Sequence, residues 1–296
     1  SISEASEKLG VSATTLRRLE KKGLIKPSRN GNGERLYDKK TLESFLDSEY
    51  FLREKEVEEK IEIIPAHCMT PWFGLFGSGS GFDSLKECLG KEVDKVYAIE
   101  SGMSADPAML WRFEEVADGK VNVVSFSDAH SFWPWRIGRE ATIFEVPELS
   151  YDNIIKAIRT GEGFKATIET PPAYGKYHYD GHRNCNFSCS PEETRKLNGI
   201  CPICKKPMII GVDYRVEEIA KMEKGFKPKN AKPFYWLIPL HELISFRFDI
   251  GLSSKKAWAV YNSLIENFGN ELDVLLKVSK EEMLVKKFDD GLVDII

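Results

Sequence analysis

The chain has no apolar run approaching the roughly 20 residues that a helix needs to cross a bilayer, so no helical membrane span is expected. Its start, Ser1-Ile2-Ser3-Glu4, lacks the charged and apolar regions of a secretory signal, and the expected location is cytoplasmic. Positive charge is not in excess. The 42 Lys and Arg stand against 46 Asp and Glu, a formal net charge of −4. That balance excludes a simple polycation. Any binding of nucleic acid must use local basic surfaces or bound metal ions. Histidine is scarce, with five in 296 residues, and cysteine hardly commoner, with six. What counts is their placing. Cys68 and Cys88 stand alone, whereas Cys185, Cys189, Cys201 and Cys204 are clustered. In an intracellular protein such clustering reads as metal binding before disulfides.

What is present divides into five stretches. Residues 1–46 read as a small DNA-binding unit. Ser3 is expected to cap a helix through Leu9, Gly10 to turn the chain, and Ser12 to cap a second helix through Lys22, ended by Gly23. The Gly- and Asn-rich tip at residues 30–33, followed by Leu36 and Tyr37, predicts a tight hairpin or wing. A third helix, Lys39 to Leu46, closes the unit. Residues 47–60 are a charged linker. Residues 61–170 alternate short apolar strands with helices, which predicts an α/β layer or barrel. Strands are expected at Ile61–Ile64, Val96–Ile99 and Val121–Val124, and helices around Asp83–Leu89, Pro107–Val116 and Asp152–Thr160. Residues 171–224 are a loop-rich, cysteine-bearing insert, and residues 225–296 are helical, most clearly over Ser253–Phe268.

The acids and imidazoles fall at the ends of those strands. His67 lies just after the first, Glu100 follows the second, and Asp128 and His130 follow the third. In parallel α/β structures the C-terminal strand ends converge on one rim. Each group alone could be an ordinary satisfied polar residue. Two imidazoles and two carboxylates on one rim instead suit a divalent cation such as Zn²⁺ or Mn²⁺. Such a centre activates water and neutralises a phosphate under attack. Trp72, Phe73, Trp133 and Trp135 flank these positions and suit either core packing or stacking on an extruded base. Arg136 and Arg139 suit phosphate contacts, or salt bridges within the fold. Gly77-Ser78-Gly79-Ser80-Gly81 lacks the Lys-Ser/Thr ending of a phosphate loop and reads as a mobile loop beside the rim.

Pro65-Ala66-His67-Cys68-Met69-Thr70-Pro71-Trp72-Phe73, Tyr97-Ala98-Ile99-Glu100-Ser101-Gly102-Met103-Ser104-Ala105-Asp106-Pro107 and Ser125-Phe126-Ser127-Asp128-Ala129-His130-Ser131 resemble three motifs of the endonuclease Q family. Gly138-Arg139-Glu140-Ala141-Thr142 and Gly175-Lys176-Tyr177-His178 extend the likeness, which spans about residues 60–280. The resemblance implies a polymerase-and-histidinol-phosphatase (PHP) metal domain, here a partial (β/α) barrel. It also implies a repair endonuclease that nicks DNA beside deaminated bases such as uracil or hypoxanthine. On that likeness His67, Glu100, Asp128 and His130 are catalytic metal ligands for Zn²⁺, Mn²⁺ or Mg²⁺. PHP domains open with a His-x-His motif, and no histidine precedes His67 here. A second chain supplying the first half of the domain, a fragment, or a degenerate centre would each account for that.

Cys201-Pro202-Ile203-Cys204 is a Cys-x-x-Cys knuckle that supplies two ligands of a structural Zn²⁺ site. The second pair is His182 with Cys185, preferred for its two-residue gap, or Cys185 with Cys189. A redox disulfide between Cys201 and Cys204 is the rival. Residues 11–27 with Gly33-Glu34-Arg35-Leu36-Tyr37 resemble the winged helix-turn-helix of MerR-type and excisionase-type proteins. Ser12, Thr14, Thr15, Arg17 and Arg18 would then face the major groove, with Arg29 and Arg35 at phosphates. A protein-interaction module is the bland alternative. Residues 264–282 look like half of a helix-hairpin-helix repeat, with the acidic Lys287-Phe288-Asp289-Asp290-Gly291 where its phosphate-binding hairpin would stand. Three functions compete: a DNA repair endonuclease or half of one, a non-catalytic DNA-binding protein with a degenerate PHP domain, and a PHP-type phosphatase for a small ester.

Overall fold

The structure, a computed structural model, describes residues 1–48, 62–79 and 81–296. It divides into two compact units, Ser1–Glu62 and Ile63–Ile296. Most of the expected linker, and Ser80 of the glycine-serine loop, lie outside the described residues.

In the first unit α1 (Ile2–Leu9) starts earlier than Ser3 predicts. Ser1 is the cap, its hydroxyl accepting from the Glu4 amide while the Glu4 carboxylate reaches back to the Ser1 nitrogen. Gly10, at φ 67°, takes the left-handed turn that ends the helix. Then α2 (Ala13–Lys21) is capped by Ser12, which accepts from the Thr15 amide at 3.1 Å. The hairpin follows as β1 (Ser28–Arg29) against β2 (Arg35–Leu36), antiparallel, and Asp38 caps α3 (Lys39–Leu46). Leu16 with Leu19 and Leu42 with Phe45, each pair three residues apart, join Ala5, Leu9 and Ile25 in one buried core. Each such leucine contributes about 1.5–3 kcal/mol by burial.

The second unit is mixed α/β. After α4 (Leu85–Leu89) a 3₁₀ stretch leads to β3 (Ala98–Glu100). The helix expected over Pro107–Val116 is two short ones, α5 (Pro107–Leu110) and α6 (Glu114–Ala117). The break has a cause: the Arg112 carbonyl is taken by the amides of Lys221 and Met222, while Trp111 and Phe113 turn into the core. Next come β4 (Asn122–Val124), α7 (Pro134–Ile137), β5 (Ala141–Phe144), α8 (Tyr151–Thr160) and β6 (Phe164–Glu169). The insert holds β7 (Asp180–His182), β8 (Phe187–Cys189), α9 (Pro191–Lys196) and α10 (Val212–Ile219). Then β9 (Phe234–Trp236) precedes the C-terminal helices α11 (Leu240–Phe248), α12 (Lys255–Phe268), α13 (Glu271–Leu276), α14 (Lys280–Val285) and α15 (Asp290–Val293).

β3 and β4 are parallel and buried throughout, including the polar Glu100 and Asn122. β5, β6 and β9 form a second sheet, antiparallel between β5 and β6 and parallel between β6 and β9. The described strands do not close into a barrel. No regular strand is present over residues 62–64, and Ile61 lies outside the described residues. Pro65 has no N–H to give a ladder; its carbonyl and the Cys68 amide bond to the Glu100 backbone, each at 3.0 Å. Among the described residues no helix is long and apolar enough to cross a membrane.

Candidate functional site

The C-terminal ends of β3 and β4 share one edge, because the strands run parallel. The end of β6 joins that edge: Ser101 donates to Glu169 Oε2 at 2.8 Å and Ser125 donates to the Ile168 carbonyl at 2.8 Å. Since β5 runs opposite to β6, its beginning lies there too, and Thr170 donates to Glu140 Oε1 at 2.7 Å. The rim therefore carries His67, Glu100, Asp128 and His130, the four residues the sequence singles out, and two more acids, Glu140 and Glu169. The sequence reading missed both. Glu169 ends a strand of alternating pattern, but an antiparallel β5 that brings Glu140 beside it is not visible in strand-end counting.

The four fall into two pairs. Glu100 Oε2 accepts from the His67 backbone amide at 2.6 Å. The His130 Nδ1 lies 2.7 Å from the Asp128 carbonyl oxygen and 4.0 Å from Asp128 Oδ2. That first contact makes Nδ1 the protonated nitrogen and leaves Nε2 as the donor for a metal. Asp128 and His130 are exposed, Glu100 is buried and His67 half-buried. His67 Nδ1 is enclosed with no hydrogen-bond partner. Among the described residues the ligand atoms of these four do not draw together as closely as those of the cysteine cluster.

Strain marks the same place. His67 has φ 33° and Asp128 φ 44°, left-handed values that cost non-glycine residues energy. Gly102, at φ 68°, lets His67 approach: a Cβ there would lie 2.8 Å from His67 Cβ. Burial raises the Glu100 carboxyl above the usual range, partly offset by the His67 amide. Burial lifts Glu140 to about 7 and Glu169 well up. One oxygen of each, Glu140 Oε2 and Glu169 Oε1, has no hydrogen-bond partner. Burial likewise raises the Cys68 thiol, which makes it an inert packing residue.

The insert brings together His182, Cys185, Cys201 and Cys204, whose ligand atoms all lie within 4.8 Å of one another. The β7–β8 hairpin presents His182, and the knuckle closes through Cys201 N to Lys206 O at 2.9 Å and Lys205 N to Cys201 O at 2.9 Å. Burial opposes the Cys201 thiolate, but the amides of Cys204 and Ile203 outweigh it. Burial and the neighbouring thiols raise Cys185 to about 11. One imidazole and three sulfurs form a donor set that fits a tetrahedral metal ion. Cys189 is not in the set; its sulfur lies 3.2 Å from the Thr194 hydroxyl. The cysteines are all free, with no Cys201–Cys204 disulfide.

A cleft of about 300 Å³ opens beside the insert, lined by Trp72, Lys176, Tyr177, Tyr179, Arg183 and Phe187 among others. Trp72 meets Tyr177 edge-on at 5.6 Å. Of the expected DNA contacts, Ser12, Thr14, Arg17, Arg18 and Arg29 are exposed and Thr15 half-buried. Ser12 and Thr15 are joined by the helix cap, and Arg29 donates to the Gly33 carbonyl at 2.8 Å, which stiffens the hairpin. Arg35 pairs with Glu20 at 2.7 Å. Arg136 lies 3.5 Å from Glu242, and Arg139 donates to the Ser127 carbonyl at 3.0 Å.

Two classes of known protein match parts of the chain. Residues 1–37 match the MerR family regulatory protein model, and residues 239–296 match the MJ0043 C-terminal domain. Among individual proteins, the uncharacterized protein MJ0043 of Methanocaldococcus jannaschii is 35% identical over 224 residues, covering 73% of this chain and 27% of that protein. The crystal structure of the lesion-specific endonuclease PfuEndoQ from Pyrococcus furiosus superposes with a TM-score of 0.70 and 31% identity, over 88% of this chain and 61% of that one. An endonuclease Q complex with a 27-mer duplex bearing an abasic lesion at the active site gives a TM-score of 0.70 and 32% identity, over 82% and 59%. The chain thus spans about a quarter of its curated relative and about three fifths of the solved endonucleases. The mixed α/β fold is similar to that of endonuclease Q.

Proposed function

We propose that the chain is a module of a DNA repair endonuclease, with a divalent-metal centre on the rim, a zinc-held insert and a helix-turn-helix reader of DNA. The observation that carries this is the rim itself. At its edge the Glu100 carboxylate accepts from the His67 backbone amide and the His130 ring donates to the Asp128 carbonyl, with an orphaned His67 Nδ1 facing no protein partner. The likeness to lesion-specific endonucleases supports the same reading. His67, Glu100, Asp128 and His130 would hold the metal. When bound, it would supply an activated water and charge neutralisation at a phosphodiester.

The chain's own groups do the rest. The His130 ring is oriented by the Asp128 carbonyl, which takes Nδ1 and leaves Nε2 for a metal. Glu140 and Glu169, buried and inclined to stay protonated, lock the β3, β5 and β6 ends without adding negative charge beside a phosphate. Arg136 and Arg139 would meet phosphates beside the rim. The aromatic cleft suits an extruded base, with Lys176 and Arg183 in its lining. His182, Cys185, Cys201 and Cys204 would bind Zn²⁺ and fold an insert whose small buried cluster is otherwise insufficient. Ser12, Thr14, Thr15, Arg17 and Arg18 would read a groove, with Arg29 and Arg35 beside it.

A second reading has an observation of its own. The four rim ligands do not converge as tightly as the cysteine cluster, which favours a DNA-binding protein with a degenerate centre. Nicking of duplexes bearing uracil, hypoxanthine or an abasic site, with Mn²⁺ or Mg²⁺, separates the two. Cutting that disappears in Asp128→Asn supports the nuclease. Cutting only after a His-x-His-bearing partner chain is added would support a split enzyme. Binding without cutting in either case would leave the degenerate-centre reading.

A further inference from the structure

Phe132 stands two residues beyond His130 and is 77% exposed. A lone exposed phenylalanine is unremarkable, but this one is braced. Its ring lies 4.8 Å from Trp133, tilted by 32°. Trp133 stacks on Trp135 at 4.9 Å and 10°. Trp135, 5% exposed, packs 4.8 Å from His241. His241 is wholly buried, 4.5 Å from Trp258 and 4.2 Å from Tyr261, and neither of its ring nitrogens has a hydrogen-bond partner. A column of rings therefore runs from the core of the C-terminal helices to solvent at the rim, and Phe132 ends it.

Such a column fixes the terminal ring in place before any ligand arrives, so little side-chain entropy remains to be lost on binding. The natural next member is another flat aromatic ring. Arg136 and Arg139 follow on the same segment, Arg136 near Glu242 and Arg139 on the Ser127 carbonyl, and stacking rings with nearby cations are what a nucleic-acid strand requires. We infer that the exposed face of Phe132 is a stacking site for a nucleobase of DNA, adjoining the nucleotide presented to the rim. Trp133 and Trp135 hold that ring rather than touching the base. The inference rests on the proposal that this rim acts on DNA, and it concerns base stacking rather than metal chemistry.

The test uses the full, zinc-loaded chain with no Mn²⁺ or Mg²⁺ added, so that binding is read without cutting. Duplexes carry an abasic site with 2-aminopurine beside it, whose emission is quenched when it stacks. Wild type is expected to bind and quench, Phe132→Trp to do both, and Phe132→Ala to bind about 5- to 100-fold more weakly with the quenching lost. Thermal melting checks that each variant is folded, which an exposed position should permit. Equal affinity and quenching in Phe132→Ala would overturn the inference, as would full rescue by Phe132→Leu, which fills space without stacking. If wild type binds and quenches but never cuts with Mn²⁺, the nuclease reading fails while the stacking site stands. If wild type binds no DNA, both fail.

Discussion

The knuckle and the rim carry similar numbers of ligand-type side chains and are built in opposite ways. In the knuckle, Cys201 and Cys204 are three residues apart and His182 and Cys185 likewise, so each pair is placed by one tight turn. Only the meeting of two turns is left to the fold. On the rim, His67, Glu100 and Asp128 come from three separate segments, and β3, β4, β5 and β6 must all be in register before they share an edge. Local chemistry closes the first cluster to within 4.8 Å. The second is held as two pairs whose backbone is strained at His67 and Asp128. A structural metal asks for closure, whereas a working one needs an open position.

The largest effect should come from breaking the knuckle. Cys201→Ser is expected to lose the bound zinc, measured by metal analysis, and to open residues 180–210 to proteolysis. Structural zinc sites contribute folding energy outright, on the order of 10 kcal/mol in isolated fingers. A folded, zinc-free wild type would contradict this.

The rim should instead respond to pH. Burial lifts the Glu140 carboxyl from 4.5 to about 7 in the folded chain, so the fold keeps a proton that the unfolded chain gives up. Stability of the metal-free protein should therefore fall as pH rises from 4.5 towards 7, by about 1.4 kcal/mol per unit and roughly 3 kcal/mol in all. Glu140→Gln should flatten that slope in urea titrations. An unchanged slope would mean that Glu140 is ionised in the fold.

Gly102→Ala tests the packing behind His67. A Cβ at 2.8 Å from His67 Cβ, on a backbone at φ 68°, should destabilise by about 1–3 kcal/mol in thermal melts. It should weaken metal binding at the rim while leaving zinc content unchanged. The smallest effect is expected from Cys189→Ser. Its neighbour Thr194 can still bond a hydroxyl, so stability should change by about 1 kcal/mol and zinc not at all. Loss of zinc would place Cys189 among the ligands after all.

Local signals were legible in the sequence where one turn decides the outcome. Ser12 caps α2, the Gly- and Asn-rich tip turns the hairpin, and α3 runs over the residues its pattern indicates. The spacing of His182 and Cys185 likewise pointed to the pair that meets the knuckle. Signals that depend on distant partners were not legible. The break after Leu110 exists because Lys221 and Met222 take the Arg112 carbonyl, over a hundred residues away in sequence. Glu169 reaches the rim at the end of β6, and Glu140 joins it only because β5 runs antiparallel to β6, a pairing that strand-end counting does not foresee. Ser3 lost the cap to Ser1 because Glu4, not a residue further on, completes the reciprocal bond.

The most direct measurement is Mn²⁺ binding to the zinc-loaded chain, followed by electron paramagnetic resonance in wild type, Asp128→Asn and His67→Ala. Saturable binding is expected in wild type, weakened in both variants with zinc content unchanged. Binding equal in all three, or none in any, would contradict the claim that the rim holds a cation.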